Sequence, residues 1–292
     1  MRLTLWGTRG SVAAAGPETV RYGGNTSCVE ARAADGSVLV LDAGTGVRRL
    51  GAALRGEARR IDVLLTHLHM DHIQGLGFFA PFFEQDREVH IWGPPSTTQA
   101  LRERLTRYLS PPLFPVRLRE LPCRLVLHDV PLEWFEIGPF QVNAALVCHP
   151  GPTVGYRITA DGATIAYLPD HEPALGLGSM PAAPDWISGF GLAADADVLV
   201  HDAQYSATEY VEHVGWGHSA LTHTLAFATA ADVRRLVTFH HDPEHDDDTL
   251  TRLLEEARAG AAFPFDIVPG TEGLSIDLGD PAHPDATIVV AR

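Results

Sequence analysis

The chain has 292 residues, of which 45% are hydrophobic and 20% charged, and its formal net charge at pH 7 is −15. This length is enough to bury a full hydrophobic core, and the composition is that of a soluble globular enzyme. The acidic balance disfavours binding of a long nucleic acid, because such binding depends on many cationic contacts with phosphates.

The sequence also indicates where the protein resides. The start, MRLTLWGTRGS, lacks the charged and apolar regions of a signal peptide, and no apolar run is long enough to cross a bilayer. The 3 cysteines lie far apart and form no CxxC pair, which indicates neither a disulfide framework nor a cysteine-based zinc site. We therefore expect a cytoplasmic protein that does not bind membranes.

Short apolar runs of strand length, separated by glycine and proline, dominate the chain. In chain order the predicted strands are LTLWGT, SCVEA, VLVLDAG, IDVLLTH, VHIWG, RLVLHDV, LEWFEI, FQVNAALV, VGYRIT, TIAYL, VLVHDA, LVTFHH, FDIV, LSIDL and TIVV. Helical patterns lie between them, so the sequence predicts an α/β protein with two packed sheets and helices on the outside. Because we find no tandem repeat or low-complexity linker, we expect residues 1–292 to form one domain.

Capping residues and apolar spacing predict three helices. They begin at the capping box of residues 96–99, at Ser219 and at Asp246 or Asp247, and they end near Leu109, Ala231 and Gly260. Residues 172–193 lack any periodicity and predict a long loop, a feature typical of lids and binding loops.

Three histidines and an aspartate lie within six positions after the strand IDVLLT: His67, His69, Asp71 and His72. In an extended loop His67 and His69 lie on the same side, whereas Asp71 and His72 point elsewhere as the chain turns. One tetrahedral ion cannot take all four, but two adjacent ions can if distant segments complete each site. Imidazole and carboxylate without thiolate favour zinc, with manganese or iron as alternatives. A histidine-rich solvent loop is the competing interpretation, and the position after a buried strand disfavours it.

Further ligand candidates end other predicted strands. His149 ends FQVNAALVCH, Asp170 ends ATIAYLPD and His240 ends RRLVTFH. Because sites in α/β proteins lie at the carboxyl ends of strands, we expect these side chains to meet the histidine loop. His241 is an alternative to His240, which we prefer because it directly follows the apolar strand.

These motifs, taken along the chain, resemble those of the metallo-β-lactamase fold superfamily. The segments that carry the resemblance are LTLWGTRGS, GGNTSC, VLVLDAGTG, THLHMDH, VCHPGPTVGY, IAYLPDHEP, VLVHDAQY, GWGHS and LVTFHHDP. They span nearly the whole chain and are most similar to the branch of ribonuclease Z-like and cyclic nucleotide phosphodiesterase-like metallohydrolases. The resemblance implies an αββα sandwich, in which helices flank two mixed sheets and the site lies at one edge.

The resemblance also implies a role for each candidate ligand. His67, His69 and His149 correspond to the ligands of a first metal ion, Asp71, His72 and His240 to those of a second, and Asp170 to the carboxylate that bridges both. Asp42 resembles the carboxylate that orients the histidine loop, since ligating imidazoles need an acceptor on their other nitrogen. An aspartate in a turn before Gly44 is its alternative interpretation.

Two divalent ions about 3.5–4 Å apart can generate a hydroxide near neutral pH for attack on phosphorus. In ribonuclease Z-like enzymes a histidine and an acidic residue then protonate the leaving group. Here His218 in GWGHS and Asp202 in VLVHDAQY occupy the matching positions, and Asp71 is assigned to catalysis as well as to metal binding. The family commonly has glutamate where this chain has Asp202. Because the aspartate side chain is shorter, the sequence leaves open whether Asp202 reaches His218 with a hydrogen bond. The alternatives are a helix-capping role for His218 and a structural acceptor role for Asp202.

We expect a small phosphodiester, such as a cyclic nucleotide, as the substrate. The chain lacks the long glycine- and lysine-rich arm with which ribonuclease Z enzymes grip transfer RNA, and all 22 of its basic residues are arginine. The alternatives are an acyl hydrolase acting on lactones, thioesters or lactams, and an RNA-processing endonuclease of ribonuclease Z type.

The predicted helix over residues 96–109 carries three arginines, Arg102, Arg104 and Arg107. We interpret them as a solvated helix face, although this segment could also face the substrate or a second subunit. The apolar stretch PPLFPV, residues 111–116, is a candidate contact for a homodimer.

Overall fold

The computed structural model describes residues 1–57, 59–173, 175, 180–181, 183–279 and 288–290. In chain order the strands are β1 (Arg2–Gly7), β2 (Cys28–Arg32), β3 (Val38–Leu41), β4 (Arg60–Leu64), β5 (Glu88–Gly93), β6 (Arg124–Asp129), β7 (Trp134–Ile137), β8 (Phe140–Leu146), β9 (Val154–Ala160), β10 (Ala163–Leu168), β11 (Val198–Asp202), β12 (Arg235–Phe239), β13 (Asp266–Pro269), β14 (Leu274–Asp277) and β15 (Ile288–Val290). Each strand falls on one of the predicted runs.

The strands form two mixed sheets. The first has eight strands in the order β15-β14-β1-β2-β3-β4-β5-β6, and the second has seven in the order β13-β12-β11-β10-β9-β8-β7. In each sheet four neighbouring strands are parallel, β3 to β6 in the first and β10 to β13 in the second. The remaining pairs are antiparallel.

The helices are α1 (Val47–Ala53), α2 (Met70–Ile73), α3 (Leu101–Thr106), α4 (Phe190–Ala193), α5 (Ala207–His213), α6 (Leu221–Ala230) and α7 (Asp247–Arg258). Among the described residues, none of these helices is long and apolar enough to cross a membrane.

Alternating side chains of the strands build the layers. In β3, Leu39 and Leu41 pack between the two sheets, whereas Val38 and Val40 pack against α1 and α3 on the outer face. On the other side of the molecule, α4 and α6 pack against the outer face of the second sheet through residues such as Phe227. Because side chains alternate along a strand, one apolar run serves two cores. The predicted arrangement of helices flanking two mixed sheets is confirmed.

The predicted bounds of the arginine-bearing helix are wrong. This helix spans Leu101–Thr106 rather than residues 96–109. The Ser96 hydroxyl accepts weak hydrogen bonds from the backbone of Thr98 and Gln99 at 3.3 and 3.4 Å, which closes a turn instead of opening a helix. The residue that precedes the first helical turn is Ala100, with extended backbone.

Of the other two predicted helix caps, Ser219 is wrong and Asp246 is confirmed. Ser219 does not cap α6, because its hydroxyl donates to the carbonyl oxygen of His171 at 2.6 Å, and Ala220 precedes the helix. Asp246 does cap α7, since its carboxylate accepts from the backbone of Thr249 at 2.7 Å. Such a cap contributes about 1 kcal/mol of helix stability.

The predicted long loop over residues 172–193 is partly wrong, because it contains a 3₁₀ turn, Pro184–Trp186, and the helix α4. Residues 174, 176–179 and 182 of it lie outside the described residues. In the segment proposed as a dimer contact, Leu113 is exposed and Phe114 is buried. The homodimer and the single domain stay predictions.

Candidate metal centre

Three histidines form a first cluster at the edge of the two sheets. His67 follows β4, His69 precedes α2, and His149 follows β8, and one ring nitrogen of each lies within 4.8 Å of the others. His69 Nδ1 and His149 Nε2 are 3.3 Å apart. The His67 and His149 side chains are buried, whereas His69 is exposed. This cluster therefore opens to solvent on one side only. We call it the open half-site.

Two carboxylates and two imidazoles form a second cluster directly beside the first. Asp71, His72, Asp170 and His240 are all buried, and one ligand atom of each lies within 4.8 Å of the others. His240 Nε2 lies 3.1 Å from Asp71 Oδ2 and 3.3 Å from Asp170 Oδ2. The single turn of α2 places Asp71 and His72 here, away from His69. We call this cluster the closed half-site.

Asp170 lies between the two half-sites. Its Oδ1 is 2.9 Å from His72 Nε2 in the closed half-site, and its Oδ2 is 3.7 Å from His67 Nε2 and 3.9 Å from His149 Nε2 in the open one. A carboxylate in this position can contribute an oxygen to an ion on each side.

The orientations of these buried atoms fit metal ligation. His67 Nε2, His72 Nε2 and Asp170 Oδ1 are buried, yet none of them makes a hydrogen bond of acceptable geometry within the described residues. Buried polar atoms are normally paired, so three such atoms at one place require an explanation. Lone pairs aimed at a common point rather than at each other provide one. The cluster is capable of binding metal ions.

In three of the histidines, Nδ1 contacts a neighbouring group outside the cluster, which leaves Nε2 free to act as a ligand. His149 Nδ1 donates to the carbonyl oxygen of Gly217 at 3.0 Å, and His240 Nδ1 contacts Gln204 Oε1 at 3.0 Å. His67 Nδ1 contacts the hydroxyl of Thr66 at 3.1 Å. Each contact directs the Nε2 lone pair toward the cluster, as metal-binding histidines require.

Asp42 accepts several hydrogen bonds directly behind the closed half-site. Its carboxylate accepts from His72 Nδ1 at 2.8 Å, from the backbone and hydroxyl of Thr66, and from the hydroxyl of Tyr167 at 3.0 Å. Asp42 adopts a left-handed backbone with φ of 58° at the end of β3, a conformation that aspartate tolerates better than most residues. The position predicted to orient the histidine loop contacts that loop.

The turn TRGS after β1 packs against Asp71 and His240 of the closed half-site. The backbone N–H of Ser11 donates to Asp71 Oδ2 at 2.8 Å. A Cβ atom at Gly10 would lie 2.3 Å from the ring of His240, so only glycine fits there. His240 itself has a left-handed backbone with φ of 57°, and such strain in a non-glycine residue is concentrated at functional sites.

The alternative ligand, His241, points away from the cluster. Its Nε2 donates to the carbonyl oxygen of Gly270 at 2.8 Å, and burial lowers its pKa to about 3. The structure brings His240 to the carboxylates and not His241.

The electrostatics of the two half-sites differ. Burial alone would lower the pKa of His72, but the carboxylates of Asp170 and Asp71 outweigh burial and raise this pKa well above its usual value. The same balance raises the pKa of His240 to about 9. In the open half-site, burial prevails and lowers the pKa of His67 well below the usual range. The closed half-site therefore attracts positive charge, and the open one offers neutral imidazoles.

His218 and Asp202 form a pair beside both half-sites. His218 Nδ1 lies 2.7 Å from Asp202 Oδ2, so the aspartate reaches the histidine despite its short side chain. The His218 ring stacks on His240 at 4.8 Å between ring centroids and meets the edge of His149 at 5.1 Å. Asp202 also accepts from the backbone of Ser219 at 3.1 Å, which fixes its orientation.

The sequence reasoning missed Glu172, which holds the loop that carries His218. Its buried carboxylate accepts from the backbone of Gly215 at 3.0 Å, from that of Gly217 at 2.9 Å and from the hydroxyl of Tyr210 at 2.6 Å. Gly217 has φ of 88°, and a Cβ atom there would lie 2.3 Å from the ring of His149. A glutamate two residues after a candidate ligand was the available signal, and nothing in the sequence distinguishes it from a surface charge.

A cavity of about 500 Å³ opens beside His67 and His69. Arg104 and Arg107 line it. Arg102 and Arg107 are exposed, as predicted for a solvated face, whereas Arg104 is half-buried. Arg102 lies on a separate surface groove beside β6.

Comparison with known proteins adds a family assignment and a fold. Residues 38–241 match a family model described as a beta-lactamase superfamily domain. The chain is 28% identical to the ribonuclease Z of Myxococcus xanthus over 312 aligned residues, which cover 95% of this chain and 98% of that protein.

Two solved structures share the fold. Human tRNase Z, short form, matches with a TM-score of 0.66 and 21% identity, over 95% of this chain and 99% of that one. Zn²⁺-bound PqqB from Methylobacterium extorquens matches with a TM-score of 0.70 and 18% identity, over 95% of this chain and 100% of that one.

Proposed function

This chain belongs to the β-lactamase superfamily, and we propose that within it the protein is a dinuclear metal-dependent phosphodiesterase that acts on a small phosphodiester such as a cyclic nucleotide. The predicted resemblance to the metallo-β-lactamase fold and its ribonuclease Z-like branch is confirmed. That the protein is a metal-binding hydrolase follows from the family and the cluster; the phosphodiester is the proposed part.

The two half-sites would hold the ions. In this proposal His67, His69 and His149 hold one ion, Asp71, His72 and His240 hold the other, and Asp170 is shared between them. When bound, two divalent cations activate a water molecule and stabilise negative charge on phosphate oxygens. Imidazole and carboxylate ligands without thiolate favour zinc, with manganese or iron as alternatives that elemental analysis distinguishes.

One observation supports phosphodiester cleavage above acyl transfer, namely the hydrogen-bonded pair of His218 and Asp202 next to the cluster. Departure of an alkoxide from phosphorus requires a proton. Because Asp202 accepts from Nδ1 of His218, it fixes the orientation of the ring, and in this proposal Nε2–H is the proton donated to the leaving oxygen. Asp202 is thus a positioning residue for His218.

Replacement of His218 tests this role. We expect His218→Ala to retain both ions and to lose roughly 10²–10⁴-fold in turnover of 3′,5′-cyclic nucleotides, the usual worth of general acid catalysis. The loss should be smaller for bis(p-nitrophenyl) phosphate, because p-nitrophenolate leaves without a proton. A matched control is His128→Ala, since His128 stacks on Trp92 in the first sheet, far along the chain from the candidate ligands. Equal losses for both substrates would remove His218 from proton transfer.

The acyl hydrolase alternative predicts cleavage of acyl substrates in place of phosphodiesters. If the metal-loaded protein cleaves lactones, thioesters or lactams and leaves phosphodiesters intact, our proposal is wrong.

An RNA-processing endonuclease is the second candidate, and the named function of the Myxococcus xanthus relative favours it. The net charge of −15 opposes it, because RNA binding requires many cationic contacts. Cleavage of a transfer RNA precursor at its 3′ trailer, at a rate well above that for cyclic nucleotides, would establish this alternative.

A further inference from the structure

The cavity beside the open half-site is lined by two chemically different groups of residues. His67 and His69 form one group, and Arg104, Arg107 and Gln99, which we call the arginine end, form the other. Its volume of about 500 Å³ lies within the range of small-molecule sites, about 300–1,000 Å³. Whatever is attached to a phosphorus at the metal centre on this side would therefore extend toward the two arginines.

The arginine end is positively charged in a strongly acidic protein. The chain has a net charge of −15, yet no aspartate or glutamate is among the residues that line this cavity in the described part of the chain. Arg107 hydrogen-bonds a neutral group, Gln99 Oε1, at 2.8 Å. Its charge is thus not balanced by that contact.

Arg104 is partly neutralised but has one unpaired donor. Its Nη2 donates to the carbonyl oxygen of Pro94 at 2.7 Å and forms an ion pair with the exposed Asp129 at 3.4 Å. Its Nε is buried and makes no hydrogen bond within the described residues. Guanidinium groups bind phosphate oxygens through paired N–H donors, so two of them at one end of a cavity suit an anion.

The rest of the lining is mostly apolar. Ile73, Tyr108, Leu113 and Pro152 contribute to it, and Tyr108 is fixed by donation from its hydroxyl to the carbonyl oxygen of Gln74 at 2.5 Å. An apolar wall with an aromatic ring suits a planar base. A ligand that matches this lining has one phosphate at the metals, a base against the apolar part and a second anionic group beside the arginines.

We propose that this cavity binds a second phosphate group of the substrate, in addition to the phosphorus that reacts at the metal centre. Arg107 and Arg104 are then the specificity-determining residues, and a phosphodiester with this second phosphate is preferred over one without it. The inference rests on the proposed phosphodiesterase function, because that function places the first phosphate at the metal centre.

Binding tests the inference without requiring turnover. We compare thymidine 3′,5′-bisphosphate with thymidine 5′-phosphate by titration calorimetry on the metal-loaded protein. The bisphosphate should bind roughly tenfold or more tightly, and Arg107→Gln should bring the ratio of the two dissociation constants close to one. Arg107 is exposed, so its replacement by a neutral residue of similar shape leaves the core intact.

The matched control is Arg102→Gln. Arg102 lies on α3, which Arg107 directly follows, but it lines a different groove, so this variant should keep the tenfold ratio. A ratio near one in the unaltered protein, or a ratio that Arg107→Gln does not change, would overturn the inference. Equal weakening by Arg102→Gln and Arg107→Gln would do so too, since it would mean a general charge effect.

Turnover separates this inference from the proposed function. The p-nitrophenyl ester of thymidine 5′-phosphate is compared with the same ester that carries a 3′-phosphate, and we expect the preference for the second to lie in KM rather than kcat. If neither ester is cleaved while binding still depends on Arg107, the phosphodiesterase proposal fails and the phosphate subsite stands. If both esters are cleaved equally well, the phosphodiesterase proposal stands and the phosphate subsite fails.

The second phosphate can belong to a free nucleotide or to a nucleic acid strand, and chain length distinguishes the two. Oligonucleotides of two and ten residues that bind equally well assign the subsite to a small ligand. Stronger binding of the longer one assigns it to a strand.

Discussion

The open and closed half-sites use different chemistry within a few ångströms of each other. The closed half-site is fully buried, contains Asp71 and Asp170, and has Asp42 directly behind it. The open half-site has three imidazoles, and His69 faces the cavity. A site with an open position suits substrate binding, whereas a buried anionic site suits retention of an ion. We infer that the closed half-site holds its ion tightly and the open one serves the substrate.

Replacement of the shared carboxylate should have the largest effect, because it would break both half-sites at once. We expect Asp170→Asn to fold, since the side chain keeps its shape, but to bind less than one metal ion per chain. Turnover should fall by more than the roughly 10–100-fold that loss of a ligand's hydrogen-bond partner costs. The measurement is elemental analysis with phosphodiesterase kinetics.

The control for this variant is Asp197→Asn, whose carboxylate caps the other end of the second sheet by accepting from Thr164. It should keep two ions. If Asp170→Asn also keeps two, Asp170 does not bridge the half-sites.

Loss of one half-site should show which ion is held more tightly. Asp71→Ala removes a carboxylate of the closed half-site, and His69→Ala removes an exposed imidazole of the open one; both should lower the metal content toward one ion per chain. Buried charges attract a cation more strongly than neutral ligands do. The ion that remains in the closed half-site of His69→Ala should therefore bind at least about tenfold more tightly than the ion that remains in the open half-site of Asp71→Ala. Competition with a chromogenic chelator measures this. Equal affinities would contradict the division of roles.

The meeting of the ligand segments was predictable from sequence, for a physical reason. His149, Asp170 and His240 each follow an apolar strand, and sites in α/β proteins lie at the carboxyl ends of strands, so these residues were expected to meet the histidine loop. The division of the ligands into two half-sites was implied only by the family resemblance. The strands were predictable because a short continuous apolar run between turn residues, such as Val38–Leu41, is typical of a strand buried on both faces.

Loop contacts were not predictable in this way. Glu172 and Gly217 lie 45 positions apart and meet through a backbone N–H that no side-chain pattern reports. The start of α3 was misplaced for a related reason: Ser96 has the residue types of a capping box, but its hydrogen bonds close a turn. Local preference is a weak guide where tertiary packing decides the backbone.

Support from behind the ligands should have a smaller effect, and a larger one in the closed half-site than in the open one. Asp42→Asn keeps a residue that tolerates a left-handed backbone but removes the charge that accepts from His72 Nδ1. We expect metal affinity of the closed half-site to fall roughly 10–100-fold. The open half-site should lose less, because Asp42 reaches His67 only through Thr66. Stepwise titration of the metal-free protein with zinc measures both. Tyr167→Phe is the control, since it removes a single donor to Asp42 and leaves His72 in contact with it.

The smallest effect should come from Glu172, which supports His149 of the open half-site indirectly. Glu172 holds Gly217, and the carbonyl oxygen of Gly217 accepts from His149 Nδ1. In Glu172→Gln the amide nitrogen would face a backbone N–H, so the loop should shift. We expect about a tenfold loss of kcat, at the lower end of what such partners contribute.

Two readouts separate positioning of His218 from mere destabilisation of the fold. The kcat loss in Glu172→Gln should be greater for a cyclic nucleotide than for bis(p-nitrophenyl) phosphate, because only the alkoxide leaving group needs the proton of His218. Tyr210→Phe removes one hydrogen bond to the same carboxylate but leaves both glycine contacts, so it should lower Tm without this difference between substrates. A loss that is equal for both substrates in Glu172→Gln, and no greater than in Tyr210→Phe, would make Glu172 a purely structural residue.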